Sequence, residues 1–140
     1  MKNLLVPVVV AICLVGLVGC GGGKQISKSE LLGTWKSTTT SPEKNQVSKS
    51  EYTFKEGGKL SFAKDEKGDI ENSRILMEGF WNLSDSSLDI RRRMVEWEKE
   101  GVPVDKIPDR ELEVAYEIVS FSESELVLKE YNGTVVNLSR

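Results

Sequence analysis

The stretch that decides the fold is ILMEGFWNL, residues 75 to 83. Read alternately, Ile75, Met77, Gly79, Trp81 and Leu83 fall on one side, and Leu76, Glu78, Phe80 and Asn82 on the other. A period of two marks a β-strand with one face in a core, because successive side chains of an extended chain point to opposite sides. Runs with the same period lie on both flanks. SEYTF aligns Tyr52 with Phe54, KLSFA aligns Leu60 with Phe62, and SLDI aligns Leu88 with Ile90. ELEVAYEI brings Leu112, Val114, Tyr116 and Ile118 to one face, ELVLKEY and TVVNL follow, and LGTWKS at 32 to 37 begins the series.

The punctuation agrees. Gly57-Gly58 and Asn132-Gly133 each separate two apolar runs and predict two-residue hairpins, since both central positions of a type I′ turn need positive φ. Polar clusters at Asp65 to Asp69, Ser84 to Ser86 and Ser122 to Ser124 mark further turns. About eight strands joined by short loops predict an all-β chain, an antiparallel up-and-down barrel whose closure removes its own edges. SKSELL, ahead of the first strand, predicts one helical turn capped by Ser27 or Ser29.

Residues 91 to 111, RRRMVEWEKEGVPVDKIPDRE, interrupt the pattern. Arg92 and Glu96 stand four apart, as a helix favours, while Leu88 and Ile90 invite one long strand. Pro103 and Pro108 forbid a central strand over 102 to 109. Met94, Val95, Trp97 and Val102 give this segment an expected apolar side, suited to screening the mouth of a barrel.

The beginning of the chain speaks of address. Lys2 is followed by an apolar run, Leu4 to Val18, that ends at LVGCGGGK, residues 17 to 24. A basic start, an apolar middle and a small residue before the cut describe a secretory signal. The run is shorter than the ~20 residues a membrane-crossing helix needs. Cys20 has no disulfide partner in a processed chain, because Cys13 lies in the part removed. The expected organisation is a signal at 1–19, Cys20 with a flexible linker to residue 28, and one barrel domain over 29–140. Removal of Lys2 with the signal leaves 18 basic groups against the chain's 22 acidic ones, which disfavours nucleic acid as a partner.

Leu17-Val18-Gly19-Cys20 is similar to the lipobox of bacterial lipoproteins. That likeness implies a lipid-anchored Cys20, acylated with palmitate-type chains, in the cell membrane or outer membrane with the domain outside the cytoplasm. LLGTW at 31 to 35, YTFKEGGKLSF at 52 to 62, GFWNLSDSSLDI at 79 to 90 and YEIVSFSESELVLKEYNG at 116 to 133 resemble the lipocalin-like domains of small bacterial lipoproteins. This resemblance implies that Gly33 and Trp35 form a Gly-x-Trp motif, with Trp35 across the closed end beneath a basic side chain of the last strand, Arg140. An ordinary core tryptophan is the competing account of Trp35.

Chemistry-bearing patterns are few. The sequence holds no histidine, which removes Ser-His-Asp and Cys-His catalysis and the usual zinc sites. Ser41-x-x-Lys44 and Ser61-x-x-Lys64 lack the companion motifs of a penicillin-binding site. The acidic run Asp65 to Glu71 does not match a calcium loop, and no metal or other cofactor is expected. Arg91-Arg92-Arg93 could meet anionic headgroups, but Glu96, Glu98 and Glu100 follow, and a neutralised solvated face is the simpler expectation. A non-enzymatic role remains, in two forms of equal weight. A hydrophobic small molecule would enter the barrel against Tyr52, Phe54, Phe62, Trp81, Trp97 and Tyr116; alternatively those aromatics fill the interior and the domain serves a structural or protein-binding purpose in the envelope.

Overall fold

A computed structural model describes residues 25–140. The signal, Cys20 and the glycines after it lie outside the described residues. A one-turn helix α1 (Lys28–Leu31) precedes β1 (Gly33–Ser41), β2 (Gln46–Phe54), β3 (Lys59–Gly68), β4 (Ser73–Ser84) and β5 (Ser87–Lys99). A two-residue strand β6 (Val102–Pro103) leads to β7 (Glu111–Phe121), β8 (Glu125–Glu130) and β9 (Val135–Ser139). Antiparallel neighbours follow chain order from β1 to β5, continue through β7, β8 and β9, and return to β1. The result is a closed eight-stranded up-and-down barrel with β6 as an extra strand, as the alternation predicts. Closure gives each barrel strand a partner on both sides, most thinly between β1 and β9, which share the single Lys36–Ser139 bridge.

The barrel has two unlike ends. The β2–β3, β4–β5 and β7–β8 turns gather with α1 at one end, and the remaining connections gather at the other. Leu31, Trp35, Phe54, Leu88, Leu126 and Leu128 are almost wholly buried and fill the first, closed end. On the inner face of β2 the side chains shrink from Phe54 and Tyr52 to half-buried Ser50 and Ser48 toward the open end. Among the described residues the core runs from Ile26 to Leu138, and the barrel closes within residues 26–140. Ile26 itself, in the stretch read as linker, is buried in that core.

Residues 91 to 111 resolve in favour of the long strand, and the helical alternative does not form. Met77 pairs with Met94 and Leu76 with Glu96, so Val95 is an extra residue, a β-bulge. The bulge stretches the spacing of inward side chains from two residues to three between Met94 and Trp97, which imitates a helical period. Glu100 and Gly101, at φ 51° and 76°, then turn the chain back, and β6 pairs with the end of β5. Pro103 is tolerated because β6 has a partner on one side only. The expected common apolar side does not form. Met94 packs against the core and Trp97 is half buried, whereas Val95 and Val102 are exposed.

The two predicted hairpins form with loops of three residues rather than two. Lys55 donates to Lys59 across Glu56-Gly57-Gly58, and Glu130 donates to Thr134 across Tyr131-Asn132-Gly133. In the second, Gly133 alone takes positive φ and its N–H closes a turn on the Glu130 carbonyl, so Asn132 needs no left-handed conformation. Ser27 is the helix cap, with its backbone N–H and hydroxyl both donating to the Glu30 carboxylate at 2.8 and 3.1 Å.

Candidate functional site

Three regions carry the side chains with chemical potential: the plug of the closed end, the aromatic interior, and the outer face of β3, β4 and β5.

The plug is built around Trp35. Gly33 holds φ at 116°, a conformation side-chain-bearing residues rarely adopt, and this lets β1 start directly from the helix. A single helical turn leaves its last carbonyls without intrahelical partners. Trp35 Nε1 donates to the Leu31 carbonyl at 2.9 Å. Arg140 Nη1 and Nη2 donate to the Leu32 and Glu30 carbonyls at 2.9 and 3.2 Å, while Nε donates to Glu123 at 2.6 Å. The same guanidinium lies 4.2 Å from the centroid of the Trp35 ring. Gly33, Trp35 and Arg140 thus come together as one structural unit at the last residue of the chain.

Five of the six aromatics expected to line a ligand cavity are buried: Tyr52, Phe54, Phe62, Trp81 and Tyr116. They pack on one another. Tyr52 meets Phe62 edge-on at 4.7 Å and Phe54 at 6.3 Å, and Phe54 meets Trp81 at 5.5 Å. The Trp81 indole N–H is taken by the Lys55 carbonyl at 3.1 Å. Burial pushes the Tyr116 phenol well above its ordinary value, neighbouring Tyr52 adds to the rise, and Arg92 opposes it. Trp97 stands apart near the open rim, with Lys99 Nζ 4.4 Å from its ring centroid.

Arg92 is the residue that sequence reasoning misplaced. Strand alternation splits the arginine triplet, so that Arg91 and Arg93 point outward and Arg92 points into the barrel. Its guanidinium lies 4.2 Å from the Phe62 ring centroid and 5.7 Å from that of Tyr52. Its Nε and Nη1 are buried without a hydrogen-bond acceptor among the described residues, as is Trp97 Nε1. Opposite Arg92 on β4 is Gly79, where a Cβ would run into the Arg91–Arg92 backbone. That close approach explains a glycine in the middle of a strand.

The outer face holds a groove of about 440 Å³ over β3, β4 and β5. Phe80 stands in it with 62% of its surface exposed, and Val95 lines the same groove further along β5. Lys59 and Arg91 flank Phe80 in register on the two neighbouring strands, and Lys55 completes the rim. Arg91 pairs with Glu113 at 3.3 Å, whereas Lys55 and Lys59 enter no ion pair among the described residues. Sequence reasoning assigned Phe80 to the polar face and went no further. The available signal was the apolar residue on that face together with two arginines of equal parity on the next strand.

No cluster of acidic residues capable of holding a metal ion occurs among the described residues. No helix among them is long and apolar enough to cross a membrane. Comparison of the chain with known protein families and with curated proteins finds no match.

Proposed function

We propose that the chain is a membrane-anchored bacterial lipoprotein, held through an acylated Cys20 in the cell membrane or outer membrane, whose filled barrel serves the envelope through its outer surface. The observation that carries the second half is the packing of Tyr52, Phe54, Phe62 and Trp81 against each other, with Arg92 laid across them. Large side chains that satisfy one another leave an eight-stranded barrel little interior for a cargo. The anchor half rests on the apolar run ending at Leu17-Val18-Gly19-Cys20. Two or three acyl chains hold a protein far more firmly than one, since each buried methylene contributes about 0.8 kcal/mol. Growth with a fatty-acid analogue is expected to label the protein, and Cys20→Ala to abolish the label. Label retained in that variant would sink the anchor.

A carrier is the second reading, and Arg92 and Trp97 favour it. Unpaired buried donors inside a barrel suit an amphiphile that brings its own acceptor, such as a fatty-acid carboxylate. Titrating decanoate and apolar dyes into residues 25–140 while following tryptophan emission tests this. Saturable binding near micromolar, about −8 kcal/mol, that is lost in Arg92→Met would establish the carrier against the filled barrel.

A further inference from the structure

We propose that the outer face of β3, β4 and β5 around Phe80 is a docking surface for an anionic lipid bilayer, so that the domain lies with this side against the membrane that holds its anchor. The inference rests on the lipoprotein reading for the identity of the surface, and on three observations for its location.

The first is where the chain enters the fold. Lys28 and Ser29 of α1 share a cavity with Gly57 and Gly58 of the β2–β3 turn and with Trp81 and Asn82 of β4. Those residues adjoin Lys59 and Phe80 in sequence and in space, because Lys59 pairs with Phe80. Only Gly21 to Gln25 separate Cys20 from the buried Ile26, and five residues of chain span at most about 18 Å even when fully extended. A bilayer holding Cys20 therefore lies close to this corner of the barrel.

The second is chemistry. Phe80 is an exposed aromatic in a groove that Lys55, Lys59 and Arg91 line at this end and Glu78 and Glu111 line toward mid-barrel, within an acidic chain of net charge −3. An aromatic ring among cations matches the headgroup region of an anionic membrane, where an apolar side chain enters the interface and each basic residue near the surface adds about a kcal/mol. The third is separation of charge along β5. Glu78 and Glu111 face Arg93 in register, toward mid-barrel, and Glu96 and Glu98 lie beyond the Val95 bulge toward the open end. Of the cations at the corner where the chain enters, Arg91 is held by Glu113 on β7, whereas Lys55 and Lys59 enter no ion pair among the described residues and are left for the headgroups.

Residues 25–140, which contain the whole barrel, test the surface without its anchor. Co-sedimentation with vesicles of phosphatidylcholine containing phosphatidylglycerol is compared with that for phosphatidylcholine alone. Binding is expected only to the anionic vesicles, falling as salt screens the charges. Lys59→Glu is expected to weaken it at least roughly tenfold and Phe80→Ser several-fold. Lys129→Glu, the same charge change across the barrel on β8, should leave it unaltered. Equal loss in Lys129→Glu, or no preference for anionic vesicles, overturns the docking surface. So does tighter binding to polyglutamate than to the vesicles, with the same sensitivity to Lys59→Glu, which would make the partner an acidic protein. The anchor is judged separately: a full chain that stays in membranes while residues 25–140 ignore vesicles fails the docking surface and keeps the lipoprotein.

Discussion

At the scale of single residues the plug shows how sequence chemistry becomes structure. Trp35 contributes a large buried ring, which meets Phe121 and Arg140, and one N–H, which the Leu31 carbonyl of the first turn accepts. Trp35→Ala is expected to cost about 3–5 kcal/mol, the usual penalty for emptying a buried large aromatic site. Urea unfolding of residues 25–140 measures it; a loss under about 1 kcal/mol would show that the plug contributes little. Tyr116 makes a prediction in pH. Its folded pKa is raised above the ordinary phenol value, so above about pH 10 the unfolded chain releases a proton that the folded chain keeps. Stability is therefore fully present below that pH and declines as pH rises further. Tyr116→Phe should flatten the decline in an alkaline urea series, and an unchanged slope would assign it to other groups. Trp35 was legible from its motif. Arg92 was not, because three arginines in a row show no parity until the strand around them fixes which one faces inward.

The elements were legible wherever period two ran unbroken. Residues 75 to 83 predicted β4 and its buried face, with Met77, Trp81 and Leu83 inside and Phe80 outside. The series failed where the strand itself departs from period two. Val95 adds a residue, Met94 and Trp97 stand three apart, and Arg92 with Glu96 four apart, so a bulged strand and a helix give the same pattern. The loop lengths failed for a smaller reason, since the positive-φ glycines of a three-residue turn, two in the first hairpin and one in the second, leave the same trace as the central pair of a two-residue turn. The bulge assignment has a sharp consequence. Deleting Val95 joins Met94 to Glu96 in ordinary alternation and leaves Trp97 facing inward, at a cost expected below about 2 kcal/mol. Deleting Arg93 inverts the faces on one side of the cut and is expected to consume most of the ~5–15 kcal/mol that holds a domain together. Circular dichroism and urea unfolding of the two deletions should separate them clearly. Equal damage would mean that Val95 is not the extra residue.

At the scale of the whole molecule the barrel has one thin seam and one unpaired interior charge. β1 and β9 share a single bridge, Lys36 with Ser139, while β1 and β2 pair over their full lengths. Arg140 reinforces that seam by joining the helix carbonyls to the β7–β8 turn. Hydrogen bonds from a charged donor are worth about 1.5–3 kcal/mol, less where water competes, so Arg140→Ala is expected to lose about 1–2 kcal/mol and to loosen β9 first in hydrogen exchange. The interior charge is the feature on which the two functional readings part. A half-buried guanidinium whose Nε and Nη1 are unmet is costly, and cation–π contact with Phe62 and Tyr52 returns only about 0.5–2 kcal/mol. In a barrel that is simply filled, nothing offsets the remainder. Arg92→Met keeps the length and the packing on the two rings while removing the charge, and is expected to raise stability by about 1–3 kcal/mol. The rise should appear as a higher urea midpoint at unchanged slope, since the surface exposed on unfolding stays the same. A fall of similar size would mean that the guanidinium is held by acceptors inside the barrel. The interior would then be a built polar site rather than a packed core, and the carrier would displace the filled barrel as the account of this domain.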